Sequence, residues 1–120
     1  MKALLIIAHG SRRKESNEEV RQLAERVAIN SGDGFDRVTA SFMEISSPLV
    51  DSAIADLAED GATEITVFPY FLAAGTHVAN DIPRLINEGK EDHPNIRFEI
   101  MPHLGALKGI STLILNHINA

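Results

Sequence analysis

Histidine and glutamate side chains follow apolar stretches at several points in this 120-residue sequence. His9 comes directly after residues 3–8, Glu44 follows an alternating apolar stretch, and His77 and His103 lie in loops after two further stretches. Imidazole and carboxylate together suit Fe²⁺, Co²⁺, Ni²⁺ or Zn²⁺. An imidazole can also accept a proton near neutral pH. The set has the chemistry of a metal site or a general base, although no local motif such as H-E-x-x-H joins its members.

Each of these residues also has a plainer interpretation, which the residues alone favour. His9 can be a polar residue at the end of a strand, with Gly10 present for a tight turn. Glu44 can be a surface carboxylate. Phe71 and Leu72, which lie in the loop before His77, can be ordinary loop packing. His103 can be a solvated or hydrogen-bonded histidine. On pattern alone, the metal site is one hypothesis beside an ordinary set of loops.

A short basic stretch, residues 11–14, precedes a predicted helix. Arg12 and Arg13 could bind a carboxylate or a phosphate, because arginine and a helix N-terminus both favour anions. The alternative is a solvated entrance to the helix. Neither G-x-G-x-x-G nor G-x-x-x-x-G-K-[ST] occurs in the sequence. The glycines therefore argue against a dinucleotide site and against P-loop chemistry.

Two kinds of apolar stretch predict the strands that must position these loops. Residues 3–8 and 65–68 are nearly continuous, as in parallel strands that are buried on both faces. Residues 37–42 and 96–100 alternate between apolar and polar side chains, which predicts half-exposed strands. The continuous strands should lie in the middle of the sheet and the alternating strands at its edges.

Apolar residues at helical spacing predict one helix after each strand. These residues are Val20, Leu23, Ala24, Val27 and Ala28; Val50, Ala53, Ile54, Leu57 and Ala58; Ile82, Leu85 and Ile86; and Leu107, Ile110, Ile114 and Ile118. Ser16 and Glu19 form a candidate capping box, and Ser47-Pro48 predicts the start of the second helix. Pro83 is expected in the first turn of the third helix, where its missing N–H matters little.

The alternation of strands and helices predicts one α/β domain over residues 1–120. Strands that alternate with helices form a parallel sheet with right-handed crossovers, which here gives a flavodoxin-like four-stranded sheet of order 2-1-3-4 with helices on both faces. Ligands of such sheets bind outside the carboxyl ends of the strands, at the point where the strand order reverses. His9, Glu44 and His77 all fall on that rim.

Composition narrows the class of protein further. The formal net charge of −6 argues against a protein that coats nucleic acid or anionic membrane. The sequence contains no cysteine, which excludes disulfides and thiolate metal sites and fits a reducing compartment. No stretch approaches the ~20 apolar residues of a membrane span. We therefore expect a soluble, cytoplasmic protein.

Four motifs, in order along nearly the whole chain, resemble those of the CbiX-type sirohydrochlorin chelatases. They are residues 4–12 (LLIIAHGSR), 42–48 (FMEISSP), 71–83 (FLAAGTHVANDIP) and 102–105 (PHLG). The third motif is the most specific. The resemblance implies the chelatase fold, which is flavodoxin-like and agrees with the predicted sheet.

The resemblance also implies an activity: insertion of a divalent metal ion into sirohydrochlorin, a macrocycle with eight carboxylates, without ATP. The metal is a substrate, either Co²⁺, Fe²⁺ or Ni²⁺, and the products lead to siroheme or cobalamin-type tetrapyrroles. By resemblance, His9 and His77 are the two active-site histidines and metal ligands, and Glu44 is the carboxylate of the metal site.

Further residues are implied to hold the tetrapyrrole. Basic and N–H groups would bind its carboxylates, and apolar side chains with a glycine backbone would form a wall against the flat ring. The implied substrate-binding residues are Gly10, Ser11, Arg12, Arg13, Phe71, Leu72, Gly75 and Thr76, and Arg84 is a further candidate for the carboxylates.

The sequence leaves two questions open: the oligomeric state of the protein, and whether it catalyses a reaction. The chain resembles a single copy of a domain that many family members carry twice, and the short forms in the family are homodimers, so we expect a homodimer. A non-catalytic carrier of metal or tetrapyrrole would use the same His9, Glu44 and His77. A structural or regulatory module on this fold would need none of them.

Overall fold

Four strands alternate with four helices in a computed structural model, which describes the backbone of residues 1–120 and every side chain except that of His77. In chain order the elements are β1 (Lys2–Ala8), α1 (Lys14–Asn30), β2 (Arg37–Phe42), α2 (Val50–Glu59), β3 (Glu64–Pro69), α3 (Thr76–Asp92), β4 (Arg97–Ile100), a 3₁₀ helix (Leu104–Ala106) and α4 (Ile110–Ile118).

The sheet is parallel and its strand order is β2-β1-β3-β4, which confirms the predicted order. Leu5 lies beside Thr39 on one side and Val67 on the other, so β1 is central. Residues 3–8 of β1 are all buried, which explains why that stretch is continuously apolar. In β4, by contrast, Phe98 is half-buried and its three neighbours are exposed.

Helices cover both faces of this sheet, as predicted. Alternate residues of β1 enter the two cores, because successive side chains of a strand point to opposite faces. Leu5 and Ile7 pack with α2 and α3, whereas Leu4 and Ile6 pack with α1. The larger core carries the buried residues of the two helices: Val50, Ala53, Ile54, Leu57, Ile82 and Ile86.

Ser41 departs from the predicted alternation of β2. The pattern placed it on the polar face, but it is fully buried. Its hydroxyl donates a hydrogen bond of 3.0 Å to the carbonyl of Ile6 in the neighbouring strand. That bond satisfies the hydroxyl without water, and a small polar residue can therefore occupy a core position.

Three predicted helix starts were wrong. α1 begins at Lys14, so Ser16 lies inside the first turn and caps nothing. α2 begins at Val50, two residues after Pro48. α3 begins at Thr76, which places Pro83 in the interior of the helix rather than in its first turn. The missing N–H of Pro83 would have bonded the carbonyl of Ala79, which is an exposed residue, so that carbonyl can meet water.

The last helix, α4, lies apart from both cores. The prediction that Leu107 belongs to α4 was wrong, because Leu107 lies in the link between the 3₁₀ helix and α4. The 3₁₀ helix is the main neighbour of α4. Every residue of α4 is exposed or half-buried. Its large apolar side chains are 53–71% exposed: Leu113, Ile114, Leu115 and Ile118. Across the residues that the structure describes, no helix is both long enough and apolar enough to cross a membrane.

Candidate metal and tetrapyrrole site

The loops after β1, β2 and β3 are joined by backbone hydrogen bonds beyond the strand ends. The amide of Met43 donates to the carbonyl of Ala8 at 2.9 Å, and that of Glu44 donates to the carbonyl of His9 at 3.2 Å. On the other side of β1, the amide of Tyr70 donates to the carbonyl of Ile7 at 2.8 Å. The backbones that carry His9 and Glu44 are therefore held side by side at the carboxyl end of the sheet.

Gly10 lets the first two loops approach. Its φ is +93°, a conformation that side chains with a β-carbon rarely adopt. A β-carbon at this position would lie 1.8 Å from the carbonyl oxygen of Glu44. Both the conformation and the contact require glycine. Gly10 is therefore a turn residue, as its plainer interpretation held, and it also allows the close approach of the Glu44 loop.

His9 and Glu44 line one cavity of about 250 Å³. Both residues are exposed on its rim. The other described residues that line it are Met43, Asp81, Arg84 and Leu85. The rings of His9 and Phe71 pack in a T-shaped pair, with 5.5 Å between the ring centroids. Among its described side chains, the cavity thus combines an imidazole and two carboxylates with a guanidinium.

Asp81 is the member of this cavity that the sequence analysis missed. It is half-buried on α3 and forms an ion pair with Arg84 at 3.6 Å. Arg84 also contacts Glu88 at 3.2 Å. Asp81 lies four residues after His77, a spacing that puts two residues on one face of a helix. The sequence did not reveal this spacing as a helical one, because Pro83 was expected in the first turn of the third helix. That expectation left His77 and Asp81 in a predicted loop.

His77 itself lies in the first turn of α3, directly after Thr76. Its side chain is outside the described residues, so its predicted part in the metal site stays a prediction. Among the side chains that are described, no three from His, Cys, Asp and Glu form a group that could hold a metal ion.

A larger cavity, of about 650 Å³, lies beside the loop after β1. Ser11 and Arg12 line it, as do Lys14 and Arg21 from α1. Glu15 and Glu18 contribute the opposite charge, so three cations face two carboxylates there. The arrangement leaves the cavity with a small positive balance, which suits an anionic ligand.

Asn17 anchors the loop that carries Ser11. Its side chain is buried, accepts a hydrogen bond from the amide of Ser11 at 2.9 Å and donates one to the Ser11 carbonyl at 2.7 Å. Arg13 lies outside this arrangement and forms an exposed ion pair with Glu15 at 3.5 Å. The two predicted arginines therefore differ: Arg12 lines the cavity, whereas Arg13 is paired at the helix start.

The two apolar residues of the predicted wall differ in burial. Phe71 is half-buried against the larger core and the His9 ring, whereas Leu72 is 72% exposed. Gly75 and Thr76 are exposed at the start of α3. Gly105 contacts this loop at two points. Its amide donates a hydrogen bond of 3.0 Å to the carbonyl of Phe71. A β-carbon on Gly105 would lie 1.7 Å from the carbonyl oxygen of Leu72.

His103 stands at the N-terminus of the 3₁₀ helix and is half-buried. It is not among the residues that line the cavity of His9 and Glu44. This placement agrees with the interpretation of His103 as a loop residue that the pattern favoured.

Together, the fold and the site define a flavodoxin-like α/β protein with an imidazole–carboxylate cavity at the carboxyl ends of its strands. The chain belongs to the CbiX family, whose model matches residues 3–120. A sirohydrochlorin cobaltochelatase of Methanocaldococcus jannaschii is 40% identical over 93 residues, which are 78% of this chain and 64% of that protein. The chain spans less than two thirds of the length of that relative and of the next two it matches.

Two solved structures share the fold. A CbiX protein from Marinobacter aquaeolei VT8 superposes with a TM-score of 0.84 at 24% identity, over 99% of this chain and 95% of that one. The sirohydrochlorin chelatase SirB from Bacillus subtilis subspecies spizizenii, solved in complex with cobalt, superposes with a TM-score of 0.86 at 24% identity. The match covers 98% of this chain and 50% of SirB.

Proposed function

We propose that this chain is a sirohydrochlorin metal chelatase, which inserts a divalent ion into the tetrapyrrole without a nucleotide. Co²⁺ is the first candidate ion, because the 40% identical relative is named a cobaltochelatase. Fe²⁺ and Ni²⁺ are compatible with the same imidazole and carboxylate donors. The ion is a substrate that leaves in the product.

One observation carries the proposal: His9 and Glu44 share a cavity, and the hydrogen bond between their backbones fixes the distance between their loops. A chelatase must hold an ion and accept protons at the same place. Imidazole and carboxylate do both. His77 keeps the role that the family resemblance gives it, that of the second active-site histidine.

The charge balance of the reaction explains why these groups are needed. A dication enters the ring as two pyrrole N–H protons leave, so the macrocycle keeps its charge. In the proposed reaction His9 and Glu44 hold the ion beside the ring, and the nearby histidines and carboxylates, Asp81 among them, receive the protons. Glu44 and Asp81 lower the free energy of the dication in the cavity by Coulomb attraction.

The carboxylates of the tetrapyrrole need cationic partners. Arg12 and Lys14 line the 650 Å³ cavity next to the His9 loop, and Arg84 lines the smaller one. The net charge of −6 does not oppose this binding, because acidic groups more than ~10 Å away are screened at ordinary ionic strength.

The test is anaerobic absorbance of the protein mixed with sirohydrochlorin and Co²⁺ or Fe²⁺. The metal-free band should convert faster than in a protein-free control, and His9→Ala and His77→Ala should each lose most of that excess. His93→Ala is a matched control, because His93 lies at the end of α3, just before β4 and away from the carboxyl rim. It should keep the wild-type rate.

The other outcomes separate the alternative functions. A band that shifts on binding but never converts would support a carrier of tetrapyrrole or metal. No binding and no conversion with any of the three ions would leave a module that shares the fold without the activity.

The proposal includes a homodimer and a cytoplasmic location. The support for a dimer is the exposed apolar surface of α4, which a second copy of the chain would cover. The support for the location is the absence of cysteine, which suits a reducing compartment.

A further inference from the structure

The turn that carries Glu44 has an unusual backbone. Ile45, the next residue, has a φ of +71°, although β-branched residues strongly avoid positive φ. The amide of Ser46 donates to the carbonyl of Glu44 at 2.8 Å, which closes a tight three-residue turn around Ile45. Such a backbone persists only where its surroundings hold it, and such sites cluster at functional centres.

Arg21 of α1 holds the far side of this turn. Its Nη2 donates to the hydroxyl of Ser46 at 2.8 Å and to the carbonyl of Ser47 at 2.9 Å. The guanidinium lies over the ring of Phe42, 5.1 Å from the centroid, at the end of β2. One side chain thus binds the two residues after Ile45 and rests on the strand before Glu44.

The near side of the turn is held by the loop after β1. The amide of Glu44 donates to His9, and Gly10 contacts the carbonyl of Glu44. Glu44 is therefore fixed between two supports, one from the His9 loop and one from α1. Because the carboxylate stands on an exposed loop, these supports are what keep it at the cavity of His9.

We propose that Arg21 is a positioning residue for Glu44: it holds the strained turn at Ile45 so that the Glu44 carboxylate stays beside His9. The inference rests on the proposed function, in which Glu44 holds the metal ion. A planar guanidinium suits this task, since one group can bond both acceptors and still lie flat on an aromatic ring.

Binding of substrate carboxylates is the alternative role for Arg21, because this residue also lines the 650 Å³ cavity with Arg12. A residue that binds substrate carboxylates would change the KM for the tetrapyrrole. A residue that positions Glu44 would change the affinity for the ion. The two roles therefore separate in two measurements on the same variants.

The experiment measures Co²⁺ affinity by titration, and the KM for sirohydrochlorin, in Arg21→Gln and Arg21→Lys. We expect both variants to bind Co²⁺ about tenfold more weakly, with KM within about twofold of wild type, since losing a group that orients a metal ligand costs about 10–100-fold in affinity. Lysine keeps the charge but lacks the planar guanidinium that bonds both acceptors and lies on the ring of Phe42. Arg26→Gln, an exposed arginine of the same helix, is the matched control and should change neither value.

A double-mutant cycle tests the link to the strained turn. Ile45→Gly removes the steric cost of the positive φ, because glycine adopts that φ freely, so the turn needs less support. We expect Arg21→Gln to weaken Co²⁺ binding by less than about threefold in the Ile45→Gly background, against about tenfold in wild type. Far-UV circular dichroism confirms folding, and if Arg21→Gln does not fold, Arg21→Lys takes its place in the cycle.

Three results would overturn the inference. They are full Co²⁺ affinity in Arg21→Lys, a raised KM with unchanged Co²⁺ affinity in Arg21→Gln, and an equal loss in both backgrounds of Ile45. Failure of the proposed function is a separate result, because it appears as a wild-type protein that binds Co²⁺ but does not metallate the tetrapyrrole. The affinity measurements judge Arg21 in either case.

Discussion

A β-carbon on Gly10 would lie 1.8 Å from the carbonyl oxygen of Glu44, so the loops after β1 and β2 touch through a glycine. That contact brings the loop that carries His9 and the loop that carries Glu44 to one cavity. The position depends on two independent properties of glycine, its positive φ and its missing side chain.

Gly10→Ala should therefore destabilise the protein and separate the two loops. We expect its free energy of unfolding to fall by about 3 kcal/mol, from an unfavourable left-handed conformation and overpacking against the backbone. Gly61→Ala is a matched control, because Gly61 has a φ of +95° with nothing within 4 Å of its added β-carbon. It should lose only about 1 kcal/mol. Equal losses in urea denaturation would show that the contact with Glu44 contributes nothing.

Replacing the carboxylate of Glu44 should weaken metal binding and leave tetrapyrrole binding intact. We expect Glu44→Gln to reduce Co²⁺ affinity at least about tenfold, because an amide oxygen is a poorer, uncharged ligand for a dication. Quenching of sirohydrochlorin fluorescence should report an unchanged affinity for the ring. Glu25→Gln, on the exposed face of α1, controls for the general loss of one negative charge. Wild-type Co²⁺ affinity in Glu44→Gln would remove Glu44 from the metal site.

Asp81 gives the third test, because it adds a carboxylate to the cavity of His9 and Glu44. Asp81→Asn should slow metal insertion about tenfold, since the cavity loses a charge that attracts the dication and a group that can accept a proton. The KM for the tetrapyrrole should stay within about twofold of wild type. Asp56→Asn, an exposed aspartate on α2, should keep the wild-type rate. If both variants behave alike, the Asp81 carboxylate takes no part in metal insertion.

The strand order, and the edge of the sheet at which the candidate site residues lie, could be predicted because burial leaves a direct mark on sequence. A strand buried on both faces must be apolar throughout, as residues 3–8 are, and the rim follows from the order of the strands. Helix starts could not be predicted in the same way. Ser16 has the type and spacing of a cap, but Asn17 makes the hydrogen bonds that hold the preceding loop.

The misplaced start of α3 had a consequence for the site. Expecting Pro83 in the first turn left Asp81 in a predicted loop, although it stands in the second turn of the helix. The strained turn at Ile45 has no mark in sequence, because an isoleucine between Glu44 and Ser46 does not indicate a positive φ. Contacts such as that between Arg21 and this turn connect residues far apart in the chain and need coordinates.

The surface of α4 supplies the last prediction. Its apolar residues have the same spacing as those of a buried helix, so sequence could not separate core from contact surface. Ile114 and Ile118 are 53% and 71% exposed and lie four residues apart, hence on one face. A nine-residue helix with so little burial is marginal by itself in water, which is why we expect a second copy to cover it.

Ile114→Glu should therefore convert a dimer into a monomer, because a buried, unpaired carboxylate opposes association. Light scattering after size-exclusion chromatography should give about twice the chain mass of 13.1 kDa for wild type and a single chain mass for the variant. Ile29→Glu is the matched control, since Ile29 is 80% exposed on α1 and should tolerate the charge. A monomeric wild type would contradict the dimer directly. A dimeric Ile114→Glu protein would place the interface on a surface other than α4.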